Sequence, residues 1–282
     1  MNYAYLAGHD SFYLREGWLR KGILALYEDA SIFSGPNLSK AIDQLGVGAN
    51  MVKAIKYWLE VCFLVEKEHS GKTNLSSTWL TQCIMSHDPY FQKNETLWLL
   101  HYFYSNNVPL WKILFQKNNL AKFTKAQAKH LISMDIADQQ IHYSASTISS
   151  ALDVFLSTYI WDRSANSRNP EDNLISPLNR LKLLGREKEQ YFYRSVSNKD
   201  VSPFFLYFLL FIDGKREIAM TDAIELIKQY IPMIPAHARS GLELLELNKM
   251  IRVERAAGLN MIYDKSRLPP VDLVKVMLGG VK

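Results

Sequence analysis

Cysteine is scarce in this sequence, since its 282 residues include only Cys62 and Cys83. Two thiols cannot build a disulfide framework or supply four ligands to a structural zinc ion, so neither form of stabilisation is expected. A reduced, cytoplasmic setting is therefore the default expectation. Long apolar runs are also missing: the most apolar stretch, residues 204–212, is far shorter than the ~20 residues needed to cross a bilayer. We interpret it as a buried helix and expect no membrane partner.

Several sequence motifs of enzymes are absent as well. The chain has no Gly-x-Ser-x-Gly elbow, no Gly-x-Gly-x-x-Gly loop and no paired cysteines. Residues 70–73 read Ser-Gly-Lys-Thr, but a phosphate-binding loop of this type needs a second glycine where Glu66 stands. We therefore exclude nucleotide hydrolysis by this chain.

The overall charge is mildly positive. Lys and Arg total 33 against 28 acidic residues, which gives a net charge of +5 and a pI near 9.0. This excess favours a polyanionic partner such as double-stranded DNA. Hydrophobic residues make up 48% of the chain, as in globular proteins, and a length of 282 residues favours two domains or one lobed unit.

A helix-turn-helix pattern occupies residues 37–62. Apolar residues recur at helical spacing on both sides of a turn at residues 46–48, which contains two glycines. The opposite face of the second predicted helix carries four polar residues: Asn50, Lys53, Lys56 and Tyr57. In a DNA-binding protein, such a face meets base edges in the major groove.

The residues after this second helix predict a β-hairpin wing. The apolar period shortens at residues 63–65, a polar turn containing Lys72 follows, and Leu75 begins the returning strand. A winged helix-turn-helix that binds DNA is one interpretation. An ordinary helical hairpin in an α-rich core, with its lysines facing water, explains the same pattern, and this segment alone leaves both interpretations open.

Six motifs occur in order along the first half of the chain: GHDSF (8–12), LREGWLRKG (14–22), LGVGANMV (45–52), YWL (57–59), DPY (88–90) and TLWLLH (96–101). Together they resemble the SspB-like family of bacterial DNA phosphorothioation defence systems. The resemblance implies a DNA-binding protein of antiviral defence that nicks one DNA strand to assist sulfur insertion. It also implies Mg²⁺ or Mn²⁺ as cofactor if nicking occurs, and an ATPase and a reductase-like sulfur-transfer protein as partners.

Two alternatives to strand nicking stay open. The first is a non-catalytic adaptor that binds DNA and recruits the ATPase and the sulfur-transfer protein. The second is a transcriptional repressor, which is expected to be a dimer on a two-fold symmetric site.

No complete catalytic constellation is visible, but two sets of residues are candidates. His9, Asp10 and Glu16 offer an imidazole and two carboxylates that suit Mg²⁺ or Mn²⁺, although hydrogen bonds that tether the first helix explain this loop better. Residues 213–215, with Asp200 upstream, have the Asp-x-Lys ending of many metal-dependent nucleases. A short turn between two helices has the same appearance.

We predict a mainly α fold with small β wings. The expected parts are an N-terminal winged helix-turn-helix domain (1–87), a helical middle region (88–161), a linker with a short strand (162–200) and a C-terminal winged-helix-like domain (201–282). The last part rests on three helical patterns and a hairpin that turns at Gly258, a pattern that many protein interaction modules share, so DNA binding and protein binding both stay open for it. Residues expected to contact DNA are Arg15, Arg20, Lys21, Lys40, Asn50, Lys53, Lys56, Tyr57, Lys72, Arg239, Arg252 and Arg255.

Two further stretches bear on function. The aromatic-rich residues 88–123 are expected to pack in the core, with a base-stacking platform as the alternative. In the segment assigned as a linker, Arg186, Lys188 and Arg194 add positive charge.

Overall fold

The fold is mainly α-helical, and its strands form small antiparallel sheets, as the sequence predicts. The computed structural model describes residues 3–68, 74–118, 120–160, 175–256 and 259–279. Within these ranges, no helix combines the length and the apolar character that a membrane span requires.

The N-terminal unit consists of three helices followed by a hairpin: α1 (Trp18–Glu28), α2 (Leu38–Leu45), α3 (Ala49–Val61), β1 (Val65–Lys67) and β2 (Leu75–Ser77). Helices α1 and α3 approach closely at Gly22, where a Cβ atom would lie 2.8 Å from side-chain atoms of Ile55 and Leu59. Gly46 follows the last residue of α2, and its φ of 60° is left-handed and favours glycine. Strands β1 and β2 pair antiparallel, as expected for the predicted hairpin.

The second unit is longer and contains a sheet formed by distant segments. Its elements are α4 (Trp79–His87), α5 (Asn94–Asn107), α6 (Pro109–Trp111), a π-helical turn (Lys112–Lys117), β3 (Lys122–Thr124), α7 (Lys125–Asp138), α8 (Ala145–Tyr159), a 3-10 turn (Pro177–Leu181), β4 (Leu184–Glu187) and β5 (Gln190–Tyr193). Strand β5 pairs antiparallel with both β3 and β4, in the order β3-β5-β4. The middle region and the strands assigned to a linker therefore share one sheet and belong to one folded unit.

The third unit consists of α9 (Pro203–Phe211), β6 (Glu217–Ala219), α10 (Met220–Tyr230), α11 (Pro235–Leu247), β7 (Ile251–Ala256) and β8 (Leu259–Asp264), followed by α12 (Pro270–Met277). The strands on either side of residue 258 pair as predicted, and the sheet order is β6-β8-β7. In both this unit and the second, a helix and a short strand precede two helices and a hairpin, and the last strand lies in the middle of the sheet.

An aromatic core joins the three units. Trp58 of α3 stacks on Tyr104 of α5 with ring centroids 5.2 Å apart, and Trp98 of α5 lies 5.5 Å from Phe205 of α9. Trp98 and Trp111 are at most 1% exposed. The expectation that these aromatic residues of segment 88–123 pack in the core is confirmed.

Candidate nucleic-acid interface

The predicted DNA-reading face of α3 is largely covered by the chain itself. Tyr57 is buried, and its hydroxyl donates a hydrogen bond to the backbone carbonyl of Tyr5 at 2.8 Å. Burial also raises the pKa of Tyr57 well above its usual value. The structure corrects the placement of Tyr57 on a DNA-facing surface, because the N-terminal segment packs against this side of α3.

The beginning of α3 presents a narrow polar edge. Asn50 and Lys53 are exposed, and Lys56 is partly exposed. The Nζ atom of Lys53 lies 3.4 Å from Oδ1 of Asn50 and 3.8 Å from the carboxylate of Asp10. Helix α5 packs against α3. The accessible surface is therefore a short edge and not a full recognition helix.

Arg15 is enclosed by aromatic rings. It is 6% exposed, and its guanidinium carbon lies 5.6, 5.7 and 5.3 Å from the ring centroids of Phe12, Tyr13 and Trp18. This arrangement stabilises the segment that leads into α1. The placement of Arg15 as a DNA contact is corrected, because the surrounding rings keep its guanidinium away from a phosphate.

Three other N-terminal cations are held by neighbours: Lys21 and Lys40 are exposed, and Arg20 is half-buried. Lys21 donates a hydrogen bond to the last carbonyl of α2 at 2.9 Å. Lys40 lies 2.6 Å from Asp29, and its hydrogen bond lowers the pKa of that carboxyl to about 2. The side chain of Arg20 lies on the ring of Tyr90, 4.7 Å from the centroid. The candidate Lys72 lies outside the described residues.

The C-terminal candidates are also exposed. Arg239 lies on α11, whereas Arg252 is 2.7 Å from Glu254 and Arg255 is 3.0 Å from Glu246. These carboxylates weaken the positive field that the hairpin β7–β8 presents to a polyanion.

The candidate catalytic residues are not gathered into one site. Within the described ranges, no three His, Cys, Asp or Glu side chains form a group that could hold a metal ion. Both ring nitrogens of His9 contact backbone atoms of its own loop, at 3.2 and 3.1 Å, and burial lowers the pKa of His9. Asp10 faces Lys53, and Glu16 lies 3.8 Å from Arg180. The tethering interpretation fits this geometry.

Residues 213–215 form a turn between α9 and β6. Gly214 has a left-handed φ of 82°, and Lys215 pairs with Asp213 at 2.8 Å. Asp200 accepts hydrogen bonds from the backbone and hydroxyl of Ser197. The turn interpretation accounts for residues 213–215, whereas Asp200 lies in a separate turn with Ser197.

A cationic groove of about 670 Å³ lies on the hairpin β4–β5 and is called the hairpin groove below. Four cationic residues line it: Arg180, Lys182, Arg186 and Arg194. The last three are exposed, and in the described part of the chain neither Lys182 nor Arg194 has a carboxylate within ion-pair distance. Several guanidinium and ammonium groups around one concavity suit phosphate oxygens.

Local backbone geometry creates the groove. Lys182 has a left-handed φ of 52° and ends the 3-10 turn, so the chain changes direction before β4. Gly185 pairs with Phe192, whose ring lies over it: a Cβ atom at Gly185 would lie 2.4 Å from that ring. The absence of a side chain at Gly185 therefore lets an aromatic ring line the groove.

The cations of the groove are positioned by neighbouring groups. The Nε atom of Arg186 donates a hydrogen bond to the carbonyl of Lys188 at 2.9 Å, and its guanidinium carbon lies 5.7 Å from the centroid of Tyr191. The hydrogen bond from Ser197, together with the charges of Lys182 and Lys199, lowers the pKa of Asp200. Asp200 thus stays ionised, and in a neighbouring pocket that it lines together with Arg180, Lys182 and Arg194 it partly offsets their positive charge.

Arg180 connects the hairpin groove to the N-terminal unit. Its Nη2 atom donates a hydrogen bond to the carbonyl of Phe91 at 2.5 Å, and its Nη1 atom donates one to Oε1 of Gln92 at 3.1 Å. The same guanidinium lies 3.8 Å from Glu16. Arg180 therefore has a fixed position at the junction of the two units.

The local sequence contained a signal for this groove. Residues 180–194 include five Lys or Arg residues and two acidic residues. The predicted linker contains Arg186, Lys188 and Arg194, whereas the structure brings Arg186 and Arg194 together with Arg180 and Lys182 around one groove. Treating the segment as a paired hairpin would have put these cations on one surface.

The fold and the hairpin groove define a mainly α protein of repeated helix-and-hairpin units with a candidate polyanion-binding surface. The chain belongs to the family DUF4007, described as a protein of unknown function, whose match spans residues 6–228. No curated protein matches it.

Two solved structures share the fold. One is described as an SspB crystal structure, with 20% sequence identity and a TM-score of 0.82, and the other as a magnesium ion-bound SspB crystal structure, with 20% identity and a TM-score of 0.81. Each match covers 97% of this chain and 88% of the SspB chain. The resemblance to SspB-like proteins is thereby confirmed at the level of the fold.

Proposed function

We propose that this chain is a DNA-binding component of a phosphorothioation-based defence system. The observation that carries DNA binding is the hairpin groove, where Arg180, Lys182, Arg186 and Arg194 surround one concavity. The similarity to the SspB fold supports the assignment to such a system. The cations contact phosphates, so most of the affinity is independent of DNA sequence and sensitive to salt.

The mode of binding in this proposal is contact through a wing. In this proposal the second and third units act as winged-helix-like domains, which is supported by their order of a helix, a strand, two helices and a hairpin. Since α3 is mostly covered, the hairpin β4–β5 lies along the sugar-phosphate backbone in place of a helix inserted into the major groove. The polar edge formed by Asn50, Lys53 and Lys56 supplies a second, smaller contact.

A matched set of charge-reversal variants tests this surface. The double variant Lys182→Glu/Arg194→Glu changes the hairpin groove, Arg239→Glu/Arg252→Glu makes the same change in net charge on the third unit, and Lys53→Glu/Lys56→Glu changes the edge of α3. Binding to a duplex is measured by fluorescence anisotropy over a range of salt concentrations. Losing two phosphate contacts is expected to reduce the slope of log K against log salt by about 2.

The expected ranking identifies the surface. The groove variant loses most affinity and salt dependence, the α3 variant loses less, and the third-unit variant stays close to the unmodified chain. Equal losses in all three variants contradict a localised site and indicate a general charge effect. An unchanged salt slope in the groove variant refutes the hairpin groove as the DNA contact.

Strand nicking is a second candidate, favoured by the description of one similar SspB structure as magnesium ion-bound. The described donor set of this chain does not fit a metal, because His9, Asp10 and Glu16 each have other partners. We therefore derive no catalytic step through Mg²⁺ or Mn²⁺. Supercoiled plasmid incubated with either ion tests the activity: metal-dependent open circles support nicking.

The alternative to nicking is an adaptor that recruits an ATPase and a reductase-like sulfur-transfer protein to DNA. Intact DNA binding without open circles in the plasmid assay favours this role. Co-sedimentation with an ATPase and a reductase-like sulfur-transfer protein of such a defence system then tests whether DNA promotes the assembly.

A further inference from the structure

A rigid turn displays an exposed tyrosine beside the hairpin groove. The buried carboxylate of Asp88 holds the turn by accepting hydrogen bonds from the N–H groups of Gln92 and Lys93 and from the hydroxyl of Thr96, at 2.9, 3.0 and 2.6 Å. Tyr90 lies in this turn and is 63% exposed. Its ring therefore contributes little to the core, although the backbone that carries it is firmly anchored.

The ring borders a pocket of about 220 Å³, called the tyrosine pocket below. The guanidinium of Arg20 lies 4.7 Å from the centroid of Tyr90, and its buried Nε atom has no hydrogen-bond acceptor within the described ranges. Phe91 adds apolar surface, while the side chains of Glu16 and Gln92 add hydrogen-bonding groups. Nε2 of Gln92 lies 3.4 Å from Oε1 of Glu16.

The tyrosine pocket and the hairpin groove are connected through one residue. Arg180 lines the groove and also donates hydrogen bonds to Phe91 and Gln92, which line the pocket. Arg180 therefore lies between the groove and the residues that line the pocket.

We propose that the tyrosine pocket holds one unpaired nucleobase of a DNA strand whose phosphates occupy the hairpin groove. This inference rests on the proposed DNA binding and specifies the form of DNA. A base within a duplex has neighbours on both faces and uses its pairing edge, so it offers no free face to Tyr90. An unpaired base stacks on the exposed part of the ring that Arg20 leaves free and presents its edge to Glu16 and Gln92.

The test compares two variants of Tyr90 on two forms of DNA. Tyr90→Leu removes the aromatic ring, whereas Tyr90→Phe retains it and loses only the hydroxyl. Affinities for a single-stranded oligonucleotide and for the same sequence as a blunt duplex are measured by anisotropy. Removing a stacking ring is expected to lower single-strand affinity roughly tenfold and leave duplex affinity unchanged, and Tyr90→Phe is expected to keep both.

Two controls separate stacking from a general loss of structure. Leu247→Ala removes another exposed apolar side chain, 76% exposed on α11, and is expected to change neither affinity. Thermal unfolding of each variant reports whether the fold is intact. In addition, 2-aminopurine in the single strand is expected to lose fluorescence on binding to the unmodified chain and not on binding to Tyr90→Leu.

The possible outcomes distinguish this inference from the proposed function. If duplex binding depends on the hairpin groove but Tyr90→Leu has no selective effect on single-strand binding, the proposed nucleobase site is refuted and the proposed DNA-binding groove is retained. Equal losses on both DNA forms in a folded Tyr90→Leu variant also overturn it. Failure of the unmodified chain to bind either form overturns both proposals.

Discussion

Asp88 is predicted to be a major determinant of stability despite its small side chain. It is 5% exposed, and its carboxylate accepts three hydrogen bonds, from Gln92 N, Lys93 N and Thr96 Oγ1. Hydrogen bonds to a charged acceptor contribute about 1.5–3 kcal/mol each, and these contributions are not additive. We expect Asp88→Ala to lower the free energy of unfolding by about 3–5 kcal/mol, since three donors lose their acceptor.

The variant Asp88→Asn keeps the shape of the side chain and one acceptor oxygen. Its new NH₂ group faces a donor, so a loss of about 2 kcal/mol is expected. Urea unfolding followed by tryptophan fluorescence measures both changes. Asp138→Ala and Asp138→Asn are matched controls, because Asp138 is exposed, and each is expected to change stability by less than about 0.5 kcal/mol.

The two Asp88 variants also test why the turn is rigid. If Asp88→Ala unfolds within about 0.5 kcal/mol of the unmodified chain, the hydrogen-bond reasoning is refuted. A stable Asp88→Asn variant that keeps the single-strand affinity of the unmodified chain would show that Tyr90 does not depend on this anchor.

Two further predictions concern packing and pH. Gly22→Ala is expected to destabilise the chain by about 1–3 kcal/mol, because its Cβ atom would lie 2.8 Å from side chains of α3. Gly35→Ala is the control, since a Cβ atom at Gly35 would meet no atom within 4 Å. Thermal unfolding measures both changes. An equal melting temperature for both variants would contradict close packing at Gly22. Burial lowers the pKa of His101 to about 4, below the 6.5 of an exposed histidine. As pH falls, the histidine of the unfolded chain therefore binds a proton before the histidine of the folded chain does. The free energy of unfolding is expected to decrease between pH 7 and pH 4 for this reason. This loss is about 3 kcal/mol and is expected to be missing in His101→Gln, as measured by unfolding at several pH values; parallel pH profiles would refute it.

Local elements were predictable because their signals lie within short stretches. The run at 204–212, interpreted as a buried helix, differs from α9 by one residue at each end. The hairpin around residue 258 follows from two short strand patterns separated by a turn. Periodicity and turn residues report on neighbours along the chain, and these elements depend mainly on such neighbours.

The candidate site was predicted less well because exposure depends on distant segments. Tyr57 is covered through a contact with Tyr5, which is 52 residues away. The helical period of α3 correctly separates apolar from polar positions, yet it contains no information about a segment that packs on the polar side. Arg15 is a second example, because the sequence does not show that Phe12, Tyr13 and Trp18 surround its guanidinium.

The sequence by itself determined the mainly α class, the first and last hairpins and the resemblance to SspB-like proteins. Only the tertiary structure decided which cations lie on one surface. Strand β5 pairs with both β3 and β4, and Arg180 donates a hydrogen bond to Gln92, which is 88 residues away. The physical reason is that secondary structure is governed by nearby residues, whereas a binding surface is created by pairing and packing between remote ones. The hairpin groove and the tyrosine pocket both arise from such remote contacts.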